Sequence, residues 1–174
     1  RKHRTREALK NAALKLFASQ GYEATSTEEI AEKAGVSWRT FFRYYPTKES
    51  VLLGGKNFWF AELSDAYCKQ SESLSDIDAL YAALMDLAPN LSERRARLRL
   101  YERSFSSSPT LRGMRQDSHD DSVRQLATVI AARRGLETAD AACMLLAAVG
   151  VLMLRQALGC WLSSKDDTEL EQYI

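Results

Sequence analysis

Apolar residues recur three or four positions apart along almost the whole chain of 174 residues. This spacing places them on one face of an α-helix, and alternating β-branched patterns are scarce. We therefore predict an all-α protein. The clearest stripe lies in the first predicted helix, at Ala8, Leu9, Ala12, Ala13, Leu16 and Phe17.

The pattern predicts about nine helices when it is combined with residues that start and stop helices. Their bounds are 4–20, a short helix that opens at Ser26 and ends at Gly35, 38–45, 47–70, 76–87, 92–105, 109–134, 138–162, and a last helix from Asp166 onward. We expect the first three to form a helix-turn-helix head at 1–46. Residues 47–174 then form a larger helical body for effector binding and dimerisation, and the helix at 47–70 links the two.

The segment 26–49, STEEIAEKAGVSWRTFFRYYPTKE, predicts a helix, a tight turn and a second helix. Ser26 and Glu29 have the spacing of a capping box, and Gly35 supplies the left-handed residue that such a turn requires. Ser37 is placed to cap the second helix, which Pro46 ends.

The second helix of this motif has one face for the core and another for a partner. Phe41 and Tyr45 lie four residues apart and are expected to pack back on the head. The opposite face presents Trp38, Arg39, Phe42 and Arg43. Two aromatic rings and two guanidinium groups at the start of a helix suit base edges, thymine methyl groups and phosphates.

Simpler interpretations of these residues stay open at the level of sequence. Trp38 is alternatively a core residue between the second and third helices, and Arg39 and Arg43 are alternatively an ordinary solvated face. The basic N-terminus is either an arm that touches phosphate or the minor groove, or a solvated tail. Its basic residues are Arg1, Lys2, Arg4 and Arg6.

Charge is unevenly distributed along the chain. Residues 1–56 contain eleven Lys or Arg and six acidic residues, a net charge of +5. The remainder contains thirteen basic and seventeen acidic residues, a net charge of −4. A basic head on an acidic body favours a polyanionic partner at one end only. Double-stranded DNA is therefore the expected partner of the head.

Over roughly its first third, the chain resembles the tetracycline-repressor (TetR) family of bacterial transcriptional regulators. The matching residues are Gly21-Tyr22, Ala24-Thr25-Ser26, Ile30-Ala31, Ala34-Gly35-Val36-Ser37, Thr40-Phe41-Phe42-Arg43-Tyr44-Tyr45 and Lys48-Glu49. The resemblance implies a homodimer that binds a palindromic operator and blocks transcription until a small-molecule effector binds.

The resemblance also implies a role for individual residues. Base contacts are implied for Trp38 and Arg39, whereas Arg43 contacts either a base or a phosphate. Phe42 departs from a frequent family tyrosine and lacks its hydroxyl, which puts a phosphate or polar contact there in doubt and leaves an apolar contact with a thymine methyl open. Phosphate contacts are implied for Thr27, Ser37, Thr40, Tyr44 and Lys48.

The eighth predicted helix is apolar on nearly all sides and rich in alanine and glycine. A helix of this kind must be buried all round, which a body of this size achieves most readily by self-association. We expect the last two helices to form a four-helix seam with a second copy, with burial inside the monomer as the alternative. The expected seam residues are Ala147, Gly150, Leu154, Leu158 and Trp161.

The family resemblance implies an effector pocket among the fourth to eighth helices. For each candidate residue an ordinary place in the core is the alternative. Gly54-Gly55, inside the linking helix, is either a site of close packing or a hinge that effector binding bends. The candidate pocket residues are Trp59, Leu63, Tyr67, Tyr81, Met85, Tyr101, Phe105 and Met144.

The sequence does not favour catalysis, a cofactor or a metal site. Two histidines occur in the chain, and the cluster around His119 is better explained as a solvated helix face, because its acids lack the spacing of a ligand set. An enzyme is therefore not expected. A helical interaction module is a second rival, but it leaves Trp38, Arg39 and Arg43 unexplained. The clustered acids are Asp117, Asp120 and Asp121.

The remaining features favour a cytoplasmic protein with no membrane partner. The charged N-terminus lacks an apolar signal segment, and the longest uncharged apolar run, 141–154, is short for a membrane span. Cys68, Cys143 and Cys160 are far apart and lie in apolar helical contexts, so we expect buried free thiols, with redox sensing as the alternative.

Overall fold

The computed structural model describes residues 2–53, 58–165 and 168–174, and for 53, 58, 59 and 116–118 the backbone alone. Within these ranges the chain forms nine α-helices, one 3-10 turn and no strand, which confirms the all-α prediction. The helices are α1 (Lys2–Gln20), α2 (Thr27–Lys33), α3 (Trp38–Tyr44), α4 (Ser50–Leu53), α5 (Phe58–Cys68), α6 (Asp76–Ser92), α7 (Arg95–Ser107), α8 (Pro109–Arg133) and α9 (Ala141–Ser163). The 3-10 turn spans Leu170–Tyr173.

The described residues pack into two compact units. The first contains residues 2–53 and 96–116, and the second contains the remaining described residues from 58–95 and from 117 onward. Beyond the N-terminal helices, the first unit thus includes most of α7 and the start of α8. The predicted domain division at residue 46 stays a prediction.

The core of the first unit is built on the apolar stripe of α1. This helix packs on α2 and α4, and α2 packs on α3. Leu9 and Phe17 of the stripe are completely buried, as are Ile30 of α2 and Phe41 of α3. The predicted inward faces of the first three helices are therefore confirmed.

The second unit is organised around α6 and α9. These helices pack on each other, α5 packs on α6, and the 3-10 turn contacts both α6 and α9. A Cβ atom at Gly150 would lie 2.7 Å from Cδ1 of Leu80, so glycine allows the close approach of the two helices. At the far end of α9, buried Trp161 donates its indole N–H to the carbonyl of Thr168 at 2.8 Å.

Several predicted helix bounds differ from the structure, and the helices predicted at 92–105 and 138–162 begin at Arg95 and Ala141. The linking helix begins at Ser50 rather than at residue 47, because Lys48 lies in a turn; its described parts are α4 and α5, and Gly54-Gly55 lies outside the described residues. The helix predicted at 76–87 continues to residue 92, since Pro89 removes only one hydrogen bond near its end. The helix predicted from Asp166 is wrong: the described C-terminal residues form only the 3-10 turn.

Among the described helices, α9 alone is long and apolar enough to cross a membrane by length and composition. It has 23 residues with a hydropathy of 1.9, and 39% of the apolar window is buried inside the chain. The helix thus extends well beyond the apolar run at 141–154. Core helices of globular proteins share this length and composition, so the feature is weak evidence for a membrane span.

Candidate nucleic-acid interface

The helix-turn-helix is built from local signals that the structure realises in full. The Oγ of Ser26 accepts from the amide of Glu29 at 3.1 Å, and the Glu29 carboxylate accepts from the amide of Ser26 at 2.7 Å. Gly35 has a φ of 69°, the left-handed conformation that the turn needs. The amide of Val36 then donates to the carbonyl of Ala31 at 3.0 Å and closes the turn.

The start of α3 is fixed by a cap, and its inner face is fixed by aromatic packing. The Oγ of Ser37 accepts from the amide of Thr40 at 3.2 Å. Phe41 is completely buried and Tyr45 nearly so, with 6.0 Å between their ring centroids. The hydroxyl of Tyr45 donates to the carbonyl of Arg6 at 3.2 Å, which ties the end of α3 to α1. The outer face of α3 is thereby held in one orientation.

The outer face of α3 presents the four side chains singled out in the sequence. Trp38 is 52% exposed and Phe42 is 42% exposed, so the core alternative for Trp38 is excluded. Their rings meet edge to face with centroids 6.1 Å apart. The exposed guanidinium groups of Arg39 and Arg43 lie 5.6 Å from the ring centroid of Trp38 and 5.4 Å from that of Tyr44, respectively.

The candidate phosphate-contacting residues surround this face, but Lys48 is engaged elsewhere. Ser37 is exposed, whereas Thr27, Thr40 and Tyr44 are half-buried. The ammonium of Lys48 donates to two main-chain carbonyls, those of residue 22 at 2.7 Å and residue 25 at 2.9 Å. The sequence missed this structural role because the carbonyls lie 23 to 26 residues away.

A buried tyrosine and a carboxylate reinforce the loop that precedes α2. The hydroxyl of Tyr22 donates to Oε1 of Glu49. Burial, together with the hydrogen bond and the negative charge of Glu49, raises the pKa of Tyr22 well above its ordinary value. The phenol therefore stays neutral, and its hydrogen bond to Glu49 stabilises the loop that Lys48 also contacts.

The first unit contains a further set of contacts that the sequence did not reveal. We call residues 96–116, which comprise most of α7 and the start of α8, the elbow. The hydroxyl of Tyr101 donates to the carbonyl of Leu52 at 3.1 Å, and the Oγ of Ser108 donates to the carboxylate of Glu23 at 2.6 Å. The Ser108 bond is the main cause that lowers the pKa of Glu23.

Another elbow contact reaches the first helix. The guanidinium of Arg97 and the carboxylate of Glu7 form an ion pair with N and O 2.8 Å apart. The elbow thus touches α1, the loop before α2, and the end of α4. No local motif marks these pairs, because their partners are 49 to 90 residues apart in sequence.

The predicted effector residues are distributed over both units. In the second unit Leu63 and Tyr67 are completely buried and Met85 is half-buried. Tyr81 of α6 and Met144 of α9 are 50% and 37% exposed, and their place in an effector pocket stays a prediction. The rings of Tyr101 and Phe105 stack in the first unit at 4.7 Å between centroids, and the Trp59 side chain lies outside the description.

The five residues predicted for the dimer seam are all buried within the chain's own core. They pack toward the rest of the second unit, so the prediction that they contact a second copy is wrong. The outer face carries different apolar residues, with Leu145 68% exposed and Leu152 46% exposed. Arg155 and Gln156 are exposed polar residues of α9, but they lie in its second half, and the first half carries no polar residue that marks its outer face. The five buried residues that were predicted for the seam are Ala147, Gly150, Leu154, Leu158 and Trp161.

The thiols and the His119 cluster also differ in detail from expectation. Cys143 is buried, but Cys68 and Cys160 are exposed, so the prediction of three buried thiols is wrong for two of them. The ring of His119 packs edge to face on Phe60 with centroids 5.5 Å apart. Among the described residues, no group of three or more potential ligands is arranged for a metal ion.

Comparison with known proteins places the motif in a family. A family model for bacterial regulatory proteins of the tetR family matches residues 9–54. The HTH-type transcriptional regulator TcmR of Streptomyces glaucescens is 54% identical over 50 residues, which are 29% of this chain and 22% of TcmR. The chain thus matches less than a quarter of that regulator's length. A longer match is with the putative mycofactocin biosynthesis transcriptional regulator MftR of Mycobacterium tuberculosis, 28% identical over 140 residues, or 80% of this chain and 71% of MftR.

Solved structures share the fold over nearly the whole chain. The SmeT–triclosan complex has a TM-score of 0.68 at 20% identity and covers 97% of this chain and 85% of SmeT. FadR of Thermus thermophilus, a TetR family transcriptional repressor in complex with lauroyl-CoA, has a TM-score of 0.56 at 22% identity and covers 97% of this chain and 88% of FadR. Together with the capped helix-turn-helix, these findings show that residues 9–54 match the tetR family of bacterial regulatory proteins and that the chain shares the fold of solved TetR-family structures.

Proposed function

We propose that the chain is a homodimeric repressor that leaves a palindromic operator when a small apolar or aromatic effector binds. The observation that carries this proposal is the outer face of α3. Two aromatic rings and two guanidinium groups are exposed there on a helix whose cap and inner face are fixed. Duplex DNA offers what these groups recognise, namely phosphates and the hydrogen-bonding and apolar groups of base edges.

The exposure of the side chains on and near α3 supports separate assignments of base contacts and phosphate contacts. We assign base contacts to Trp38 and Arg39, which lie at the start of α3 where recognition helices meet base edges. Arg43, one turn later, is assigned to a base or a phosphate. Phosphate contacts are assigned to Thr27, Ser37, Thr40, Tyr44 and the remaining N–H of Lys48.

A second copy of the chain is proposed to cover the outer face of α9. Leu145 and Leu152 are seven positions apart on this face, and Ala141 and Ala148 extend the same exposed stripe. Such a row of small and apolar residues suits close packing against the same row of a twofold-related copy. A symmetric dimer places two recognition helices on one face of the duplex, which requires a palindromic site.

Repression and effector release draw their support from relatives. The IcaR regulator of Staphylococcus aureus, named as a negative transcriptional regulator, is 26% identical over 87 residues. SmeT and FadR were solved with triclosan and with lauroyl-CoA. By analogy we propose a small-molecule effector that contacts Leu63, Tyr67 and Met85 of the second unit, acting on a protein that works at DNA in the bacterial cytoplasm.

The experiment is selection of bound duplexes from a random pool, followed by gel shift at stated salt concentrations. We expect an inverted repeat whose half-site centres lie about 34–36 Å apart or a multiple of this distance. Triclosan and lauroyl-CoA are the first molecules to screen for release of the selected duplex. Failure to enrich any sequence contradicts DNA-specific regulation, and enrichment of a single unpaired half-site contradicts the symmetric dimer.

A further inference from the structure

Two exposed aromatic rings form the outermost part of α3, and we call them the ridge. Trp38 and Phe42 lie four positions apart and meet edge to face, with centroids 6.1 Å apart. Phe42 is also held against the buried ring of Phe41, at 5.3 Å between centroids and an interplanar angle of 80°. The ridge is thus anchored to the core of the first unit although it faces outward.

The chemistry of the ridge restricts what it recognises. Phe42 has no polar atom, and Trp38 contributes a single indole N–H donor. The phenyl ring therefore forms no hydrogen bond with phosphates or with the polar atoms of bases. The C5 methyl of thymine is the apolar group that base pairs expose in the major groove.

The neighbouring guanidinium groups lie over rings other than that of Phe42. The guanidinium of Arg39 lies over the Trp38 ring, 5.6 Å from its centroid, and that of Arg43 lies over Tyr44 at 5.4 Å. In the part of the chain that the structure describes, the ring contacts of Phe42 are with Trp38 and Phe41, and its ring is 42% exposed. An exposed apolar ring and two guanidinium groups thus share one short helix, which suits a methyl group that lies near phosphates.

We propose that the ridge of Trp38 and Phe42 sets operator specificity by packing on the C5 methyl groups of thymines in each half-site. The inference rests on the proposed function, in which α3 enters the major groove, and it names the base that the ridge selects. Burial of one methyl-sized group corresponds to about a fourfold change in affinity.

The test uses the full chain and the operator recovered by selection. Each thymine is replaced singly by deoxyuridine, which removes the methyl and keeps both hydrogen-bonding edges. Wild-type protein is expected to lose affinity about three- to tenfold at one or two thymines of each half-site and to be unaffected at the others. The same replacements have little further effect in Phe42→Ala and Trp38→Ala at the thymine that each ring contacts.

Two further variants control the experiment. Phe42→Tyr keeps the ring and is expected to retain sensitivity to deoxyuridine. Tyr81→Ala removes an equally exposed ring from α6, in the other unit, and is expected to leave the pattern of sensitive thymines unchanged. Because the deoxyuridine scan of the wild-type protein needs no variant, misfolding of an alanine variant does not prevent the test.

The outcomes separate this inference from the proposed function. If the protein binds the operator specifically and no deoxyuridine replacement changes its affinity, the ridge does not contact thymine methyls. The proposed function is then unaffected. Sensitivity that persists unchanged in both folded alanine variants also overturns it. If selection enriches no sequence, the proposed function is contradicted, and so is the role of the ridge in operator specificity.

Discussion

The ammonium of Lys48 lies 4.0 Å from the centroid of the Tyr22 ring and donates to the carbonyl of the same residue. A second N–H of Lys48 is used by the carbonyl of Thr25, so one of its three donors is left for DNA. Lys48 therefore stabilises the loop before α2, in addition to the phosphate contact proposed for it.

Replacing Lys48 tests this structural role. We predict that Lys48→Ala lowers the free energy of unfolding by about 1–2 kcal/mol, because two carbonyls lose a charged donor at a partly exposed site. Urea denaturation measures this loss. A phosphate contact is measured separately, as a decrease of about 0.9 in the slope of log affinity against log salt. Unchanged stability with a reduced slope contradicts the structural role.

Arg39→Ala tests readout of a base. The substitution is expected to cost about 1–3 kcal/mol on the operator and to relax discrimination at one base pair, since one bidentate contact is lost. Affinities for the operator and for all single-base variants of one half-site provide the measurement. Arg124→Ala is the matched control, because Arg124 is an exposed arginine of α8 outside the first unit. Equal losses on every duplex contradict a base contact.

Tyr101→Phe tests the elbow. The carbonyl of Leu52 then loses its donor in a buried site, so the unfolding free energy is expected to fall by about 1–3 kcal/mol. Amide hydrogen exchange is expected to accelerate in α4 and to remain unchanged in α9, which belongs to the other unit. If α4 exchanges at the wild-type rate in Tyr101→Phe, the hydrogen bond from the elbow does not stabilise α4.

Alkaline pH tests the environment of Tyr67. Burial, together with the hydrogen bond and the charge of Asp76, raises the pKa of Tyr67 from 10.0 to about 12. Between these values the unfolded chain has lost the phenolic proton while the folded chain retains it, so stability falls as pH rises from about 10 toward 12. In Tyr67→Phe this fall is expected to be shallower.

Urea denaturation at pH 8, 10 and 11.5 follows the effect, because this range crosses the ordinary pKa of tyrosine, 10.0, and approaches the raised pKa of Tyr67. The stability gap between wild type and Tyr67→Phe is expected to narrow as pH rises. Tyr81→Phe, at a half-exposed tyrosine, is the control and keeps a constant gap. A constant gap for Tyr67→Phe contradicts the raised pKa.

Charge on the outer face of α9 tests the dimer. Leu145→Glu and Leu152→Glu are expected to produce monomers at micromolar concentration, because a buried unpaired carboxylate disfavours the interface. Sedimentation velocity distinguishes the two states. Ile77→Glu, at a residue of α6 that is 52% exposed, provides the control and stays dimeric. If the wild-type protein is monomeric under these conditions, the proposed dimer is contradicted.

The helix-turn-helix was predictable because its signals are local. Ser26 and Glu29 cap each other across three residues, Gly35 takes the left-handed turn, and Ser37 caps α3, each within one helical turn.

Long-range features were not predictable from one sequence. Ser108 and Glu23 are 85 residues apart, and neither carries a local signature of the bond that joins them. On α9 the buried Leu154 and the exposed Leu152 have identical side chains, so side-chain type does not distinguish them, and the packing of α6 and the 3-10 turn buries one of the two faces. The same limitation affected Cys68 and Cys160, which lie in apolar helices but on their outer sides.

The most direct test of the central claim is protection of guanine N7 from dimethyl sulfate, since this atom lies in the major groove. With the selected operator, we predict protected guanines in two half-sites related by symmetry, and loss of protection at one guanine per half-site in Arg39→Ala. If operator guanines are methylated at the same rate with and without the protein, or if Arg39→Ala protects them as fully as the wild type, α3 is not the element that enters the groove.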